Sequence, residues 1–215
     1  MRNSLLFALV AVCFLLSGAA GLLYEVVWMR LLGLSFGHTT WAVTTVLAAY
    51  MGGLALGSFI LGRWADRLRR PLLAYGLLEA TVGFYCLSTP FLFRSADALY
   101  LSLHRAIQPS ALTAGAIQFL LSAALMLPPT TLMGATLPVL SRAVVDAPGR
   151  VGSQVGTLYA INTWGAVAGT AATGYLLLPT LGLRLTVWLG VALNVAAGAI
   201  AMLSYRAVRA TRESG

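Results

Sequence analysis

The sequence predicts an all-α, polytopic membrane protein in which six transmembrane helices pack as one bundle. Of the 215 residues, 59% are hydrophobic and 9% are charged, whereas a soluble domain has roughly 45–50% apolar and about 25% charged residues. With so few charged side chains, the chain cannot cover a buried core with a polar surface. The composition therefore excludes an ordinary water-soluble globule and makes the lipid bilayer the expected surroundings.

Six apolar stretches are long enough to span a membrane, because a helix needs about 20 apolar residues to cross the hydrocarbon core. These stretches lie at about residues 5–33, 40–62, 72–92, 111–141, 154–178 and 182–205. They take up most of the chain. Residues 1–215 are therefore predicted to form a single integral membrane domain.

Two parts of this span pattern are irregular. The fourth span contains Pro128, Pro129 and Pro138. Because a proline removes a backbone donor and crowds the preceding turn, we expect this helix to kink or break in its inner half. Such a break suits a substrate-lining hinge and a packing kink equally. Residues 94–108 mix apolar and charged side chains, which predicts either an amphipathic helix at the outer interface or a partly ordered loop.

The positive charges predict the orientation of the chain. All fourteen basic residues are arginines, and the net charge is +8. In a six-span arrangement with both termini on one face, ten arginines fall on the terminal side and four on the other. Since arginine-rich connections stay in the cytoplasm, both termini are predicted to be cytoplasmic. The arginines end apolar runs instead of forming a patch on a soluble face, so nucleic-acid binding is not expected.

Small residues recur at four-residue spacing within several spans. They include Gly53 and Gly57 in the second span and Gly152, Gly156, Gly165 and Gly169 in or near the fifth. Such spacing lets helix backbones approach closely, which matters in a bilayer because lipid provides no hydrophobic drive for association. We expect dense helix packing at these positions.

Two glutamates lie within the predicted spans, where an ionisable side chain is costly and therefore a candidate for function. Glu25 lies toward the outer side of the first span and shares a helix face with Gly21 and Trp28. A carboxylate beside an aromatic ring can hold a cation. An ion pair with Arg184 is the alternative.

Glu79 lies in the inner third of the third span, so it is not expected at the depth of Glu25. An ion pair with Arg142 is the favoured interpretation here. Tyr159 and Asn162 lie three residues apart in the fifth span, where polar side chains must find partners by bridging helices or by lining a pathway. The chain offers no metal-ligand cluster and no paired nucleophile and base, so neither a metal, another cofactor nor an enzyme is predicted.

The segment between the second and third spans resembles the signature loop of the major facilitator superfamily. It reads GRWADRLRR from Gly62 to Arg70: a glycine, three residues, Asp-Arg and a basic pair, although Arg69 stands where that family usually has glycine. The resemblance implies that Gly62, Asp66, Arg67, Arg69 and Arg70 form a charged latch at an inner gate. It also implies a fold like one half of such a transporter, which two copies would complete as a parallel homodimer.

A second resemblance covers nearly the whole chain. Its stretches are residues 17–30 (SGAAGLLYEVVWMR), 51–58 (MGGLALGS), 132–138 (LMGATLP), 158–167 (LYAINTWGAV) and 178–184 (LPTLGLR). They look like the multi-pass membrane domain of bacterial membrane-bound spermidine synthase-like proteins, in which a soluble aminopropyltransferase-like domain follows. This sequence departs from that pattern by ending at Gly215, so we do not carry the synthase activity over.

Two functions are expected on these grounds. The first is a transporter-like protein of the bacterial cytoplasmic membrane that moves a small cationic solute such as a polyamine. Its candidate substrate-contacting residues are Tyr24, Glu25, Trp28, Arg30, Glu79, Tyr159 and Asn162. The second is a membrane anchor or scaffold for a separately encoded aminopropyltransferase.

Overall fold

The computed structural model describes residues 2–36, 40–144 and 151–213, and it confirms an all-helical fold for this part of the chain. The helices are α1 (Arg2–Phe36), α2 (Thr40–Ala65), α3 (Pro71–Ile107), α4 (Ala111–Val144), α5 (Val151–Ala172) and α6 (Leu178–Glu213), with a π-helical turn at Thr173–Leu177 between the last two. Large apolar side chains such as Phe84 and Phe91 lie exposed on the outside. Such a surface suits contact with lipid.

Five helices in the described part of the chain are long and apolar enough to cross a membrane, so the predicted count of six is not matched. The stretches predicted as the fifth and sixth spans both fall within one 57-residue candidate span, Val151–Ala207. A straight helix of that length would measure roughly 85 Å, nearly three times the thickness of a bilayer core. The segment looks continuous because helical residues adjoin Gly182 on both sides, although the backbone of Gly182 itself is not helical.

The two halves of this long segment run in opposite directions along α1. From the N-terminus toward the C-terminus of α1, the contacts with α5 are Phe14–Asn162, Leu15–Gly165 and Ala19–Gly169. The contacts with α6 are Cys13–Ala197 and Tyr24–Gly190. Along α1, the residue numbers of the partners therefore increase in α5 and decrease in α6. Between the halves, Gly182 has φ 70° and ψ 177°, a backbone conformation that is essentially restricted to glycine.

Helix α4 is continuous through all three of its prolines, so the alternative of a break is wrong, and the kink stays a prediction. A proline at position 129 leaves the carbonyl four residues earlier, that of Leu125, without its helical donor. The hydroxyl of Tyr85 on α3 donates a hydrogen bond of 2.8 Å to this carbonyl oxygen. A neighbouring helix thus satisfies the freed backbone group, which is how proline is tolerated within membrane helices.

Residues 94–107 continue α3 without a break. The helix has 37 residues, and at about 1.5 Å per residue it is roughly 55 Å long. Since this exceeds the hydrocarbon core of about 30 Å, part of α3 must extend beyond it. The helix ends where Gln108 adopts a left-handed conformation with φ 45°. A position of residues 94–108 at the outer interface stays a prediction.

The helices pack in pairs whose backbones approach closely at glycines. Helix α2 packs along α4, α1 packs against α5 and α6, and α3 packs against α6 and α4. A Cβ atom added at Gly57 would collide with the backbone oxygen of Thr131, and one at Gly165 would collide with that of Leu15. The predicted dense packing is confirmed at these positions. Gly152 and Gly156 face open space instead.

Candidate functional site

A small cavity with a mixed polar and apolar lining lies inside the bundle, and each of the six helices contributes a polar side chain to it. These side chains are Ser17, Tyr50, Glu79, Thr136, Asn162 and Asn194, from α1 to α6 in order. The cavity measures about 80 Å³, whereas sites for drug-sized ligands measure roughly 300–1,000 Å³. It has room for a few water molecules.

The carboxyl group of Glu79 is the centre of a hydrogen-bond network at this cavity. Ser17 Oγ donates to Glu79 Oε1 over 2.6 Å, and Asn194 Nδ2 donates to Oε2 over 2.6 Å. Tyr24 Oη in turn donates to Asn194 Oδ1 over 2.8 Å. The network fixes the orientation of the Asn194 amide, and every bond in it donates toward the carboxyl group.

No arginine in the described part of the chain pairs with Glu79, whose side chain is only 1% exposed. The predicted partner, Arg142, instead lies 3.6 Å from Asp66 between Nη1 and Oδ1. The prediction of a Glu79–Arg142 pair is therefore wrong. Neutral donors from α1 and α6 hold the carboxyl group, and hydrogen bonds are what make burial of such a group tolerable.

Glu25 lies on α1 and is 4% exposed. Its Oε2 atom is buried and has no hydrogen-bond partner among the described residues, and the same holds for Nε1 of Trp28. The alternative ion pair with Arg184 does not form. Because Glu25 follows Ser17 by eight residues, it lies roughly 12 Å farther along α1 than Ser17, the residue of α1 that bonds to Glu79. The two carboxyl groups therefore occupy different levels, as expected.

An aromatic cluster connects these two levels. The rings of Tyr24 and Trp28 stack with centroids 6.0 Å apart and an interplanar angle of 17°. Trp28 and Tyr50 are tilted by 60° with centroids 6.3 Å apart. Tyr24 therefore belongs to the cluster through its ring and to the Glu79 network through its hydroxyl.

Of the remaining predicted contact residues, one lines the cavity and two do not. Asn162 lines the cavity, and its Nδ2 donates a 3.0 Å hydrogen bond to the carbonyl of Phe14, which bridges α5 to α1. Tyr159 is 59% exposed and Arg30 is exposed. Neither lines the cavity.

The residues of the predicted latch lie at the end of α2 and in the connection to α3. Asp66 is the member with a charged partner on another helix, since Arg142 belongs to α4. The two side chains are 83% and 45% exposed, and an exposed pair contributes about 0–1 kcal/mol to stability. Arg67, Arg69 and Arg70 are exposed as well, and Gly62 faces Pro138 of α4.

Ser17 and Asn194 are central to the site, but neither belongs to the set of contact residues that the sequence predicts. Ser17, Gly21, Tyr24 and Trp28 follow one another at spacings of four, three and four residues, so they share one face of α1. That pattern points to Ser17 once Tyr24 and Trp28 are chosen. Nothing in the sequence pairs Asn194 with Glu79, which is 115 residues away.

The site offers chemistry for binding protons or small cations. Among the described residues, no group of three His, Cys, Asp or Glu side chains is arranged to hold a metal ion. No family model matches the chain, and no match was found among the curated proteins or the solved structures. The arrangement of buried carboxyl groups, hydroxyls and amides therefore carries the functional argument.

Proposed function

We propose that this protein is a membrane transport protein for a small cationic solute. The observation that carries the proposal is the buried carboxyl group of Glu79, which borders a cavity lined by every helix and has no basic partner among the described residues. Buried carboxyl groups within membrane helices are rare, and they commonly mark ion or substrate pathways. A cation is the ligand whose charge such a group attracts.

The proposal includes a topology with six crossings. Because α5 and α6 run in opposite directions along α1 on either side of Gly182, we assign them one crossing each. Both termini then lie on one face, and the distribution of arginines makes that face cytoplasmic. This arrangement is the one that half of a major facilitator transporter would have, and a parallel homodimer would complete it.

A polyamine is the substrate class that we propose first. Glu25 supplies a second buried carboxyl group on α1, roughly 12 Å along the helix from Ser17, which bonds to Glu79, and the two groups suit a solute that carries more than one positive charge. The cavity of about 80 Å³ is too small for such a solute. The cavity as described therefore does not accommodate the solute, and transport requires the helices around the cavity to separate.

The direct test is uptake of radiolabelled spermidine by liposomes that contain the purified protein. We expect Glu25→Gln and Glu79→Gln to lower the initial rate by about tenfold or more, because each removes a charge that attracts the solute. Asp97→Asn on α3 is the matched control, since it makes the same chemical change at a residue that is not buried. Uptake no faster than in protein-free liposomes would contradict transport of this substrate, and unchanged uptake in Glu25→Gln would remove that residue from the mechanism.

A second candidate function rests on the exposed arginines Arg67, Arg69 and Arg70 in the connection between α2 and α3. On the cytoplasmic face they would offer a docking surface for a separately encoded aminopropyltransferase. Recovery of such an enzyme with the tagged protein from native membranes, together with the absence of uptake in liposomes, would favour this anchor function over transport.

A further inference from the structure

The hydrogen bonds around Glu79 can serve a charged or a neutral carboxyl group. As observed, Ser17 and Asn194 both donate to it, which suits a carboxylate. A protonated carboxyl group must donate one bond, and the Asn194 amide can accept it after a half-turn that exchanges Oδ1 and Nδ2. The amide then donates to the hydroxyl oxygen of Tyr24, which is able to accept. Glu79 and Asn194 thus keep their hydrogen bonds in both states.

Glu79 is the carboxyl group of this cluster, and a carboxyl group is the kind of side chain that can carry a negative charge at neutral pH. The titratable side chains that interact with it are Cys13 and Tyr24 on α1 and Tyr75 and Cys86 on α3. Thiols and phenols are largely uncharged at neutral pH.

The other neighbours of α3 add no charge at this level. At the cavity, α4 presents Met133 and Thr136, and α6 presents Asn194. In the ranges 2–36, 40–144 and 151–213, no basic side chain comes within ion-pair distance of Glu79. With no cation to hold the carboxylate charge, an added proton is what neutralises it.

The cavity provides a source and a sink for that proton. It borders Glu79 directly, its volume is about 80 Å³, and a polar space of this kind holds water when several hydrogen-bonding groups line it. Ser17, Thr136, Asn162 and Asn194 are such groups. Water in the cavity is therefore within reach of the carboxyl oxygens.

We propose that Glu79 is a proton-binding site that exchanges with cavity water, and that the Asn194–Tyr24 pair reverses its hydrogen-bond direction when the proton binds. The carboxylate gains one proton from hydrated solvent and loses its negative charge, and release returns the proton to the same water. The role of this proton as the ion coupled to solute movement rests on the transport function proposed above, whereas proton binding itself does not.

The test is labelling of the full-length protein in lipid nanodiscs with dicyclohexylcarbodiimide. A protonated carboxyl group adds across the carbodiimide, its proton moves to nitrogen, and the adduct rearranges to a stable N-acylurea that retains the mass of the reagent. We expect the peptide that contains Glu79 to be labelled at low pH and to lose this labelling between about pH 5 and pH 9. Glu79→Gln must abolish the adduct, and Glu25→Gln must leave it in place.

Asn194→Leu separates a proton-binding network from a merely structural one. It removes the donor to Oε2, which favours the charged form, so the midpoint of labelling should move to higher pH by roughly one unit or more. Should this variant fail to fold, Ser17→Ala removes the other donor and should shift the midpoint in the same direction.

The infrared carbonyl band of a protonated carboxylic acid provides a second readout on the wild-type protein, because that band should appear on acidification and be missing in Glu79→Gln. Labelling and a carbonyl band that stay constant across the pH range would overturn the proposal. A pH-dependent adduct without spermidine uptake would uphold proton binding and contradict transport. Uptake with pH-independent labelling would do the reverse.

Discussion

The contact between α1 and α5 predicts that Gly165→Ala destabilises the protein whereas Gly156→Ala does not. A Cβ atom at Gly165 would collide with the carbonyl oxygen of Leu15, and that carbonyl belongs to a helix backbone that cannot turn aside. At Gly156, in the same helix, a Cβ atom would meet nothing within 4 Å. The two substitutions add the same methyl group to α5 in different surroundings.

The expected magnitude follows from two opposing effects. Alanine forms helix more readily than glycine by roughly 1 kcal/mol, and this gain is common to both variants. Overpacking at a close contact costs about 1–3 kcal/mol, and only Gly165→Ala incurs it. The difference between the two variants therefore isolates the collision, and we expect Gly165→Ala to be less stable than Gly156→Ala by about 1–3 kcal/mol.

Equilibrium unfolding of the purified protein in mixed micelles, followed by circular dichroism as the denaturing detergent increases, measures this difference. The glycine contact also supports the cavity, because Asn162 lies one turn before Gly165 and bonds to Phe14 of α1. Equal stabilities within about 0.3 kcal/mol would refute the reasoning, since they would mean that the α1 and α5 backbones do not approach at Gly165.

Two further substitutions test other contacts. Tyr85→Phe should lower stability by about 0.6–2 kcal/mol, because it leaves the carbonyl of Leu125 without a donor; the same unfolding assay measures it, and Tyr175→Phe, at an 89% exposed position, should have no effect. Asp66→Asn should change stability by less than about 1 kcal/mol because the pair with Arg142 is exposed, so a large fall in spermidine uptake in that variant would indicate a gating role and not a loss of folding.

The helices could be predicted from the sequence because the lipid bilayer sets the length and the apolar character of each helical stretch, independently of how the helices pack. A bilayer demands apolar stretches of sufficient length with all backbone groups paired inside them, and glycine spacing indicates where backbones can approach, as they do at Gly57 and Gly165 but not at Gly152 and Gly156. The count differs because helix continues past Pro179 up to Gly182 and resumes directly after that one non-helical residue, so that residues 151–207 form a single candidate span. A π-helical turn directly precedes this proline, and such turns accommodate local irregularity without ending a helix.

The partners of the buried carboxyl groups could not be predicted in the same way. The sequence favours Arg142 as the partner of Glu79 because both residues are predicted toward the inner side of the bundle. Whether two side chains meet also depends on the rotation of each helix about its axis. Rotation turns Glu79 toward Ser17 and Asn194, which are 62 and 115 residues away along the chain, and hydropathy carries no information on that angle.

The carboxyl group of Glu79 is not needed for helix packing, and this is the reason to propose a function for it. The contacts of Gly57 and Gly165 are made by backbone atoms and small side chains, which are sufficient to associate helices in lipid. Burial of Glu79 is costly, and well-packed apolar residues commonly replace buried charged groups without loss of stability. A bundle built only for stability would therefore dispense with the carboxyl group and the polar side chains that converge on it. Their convergence from all six helices on one cavity is what a pathway for a proton or a small cation requires.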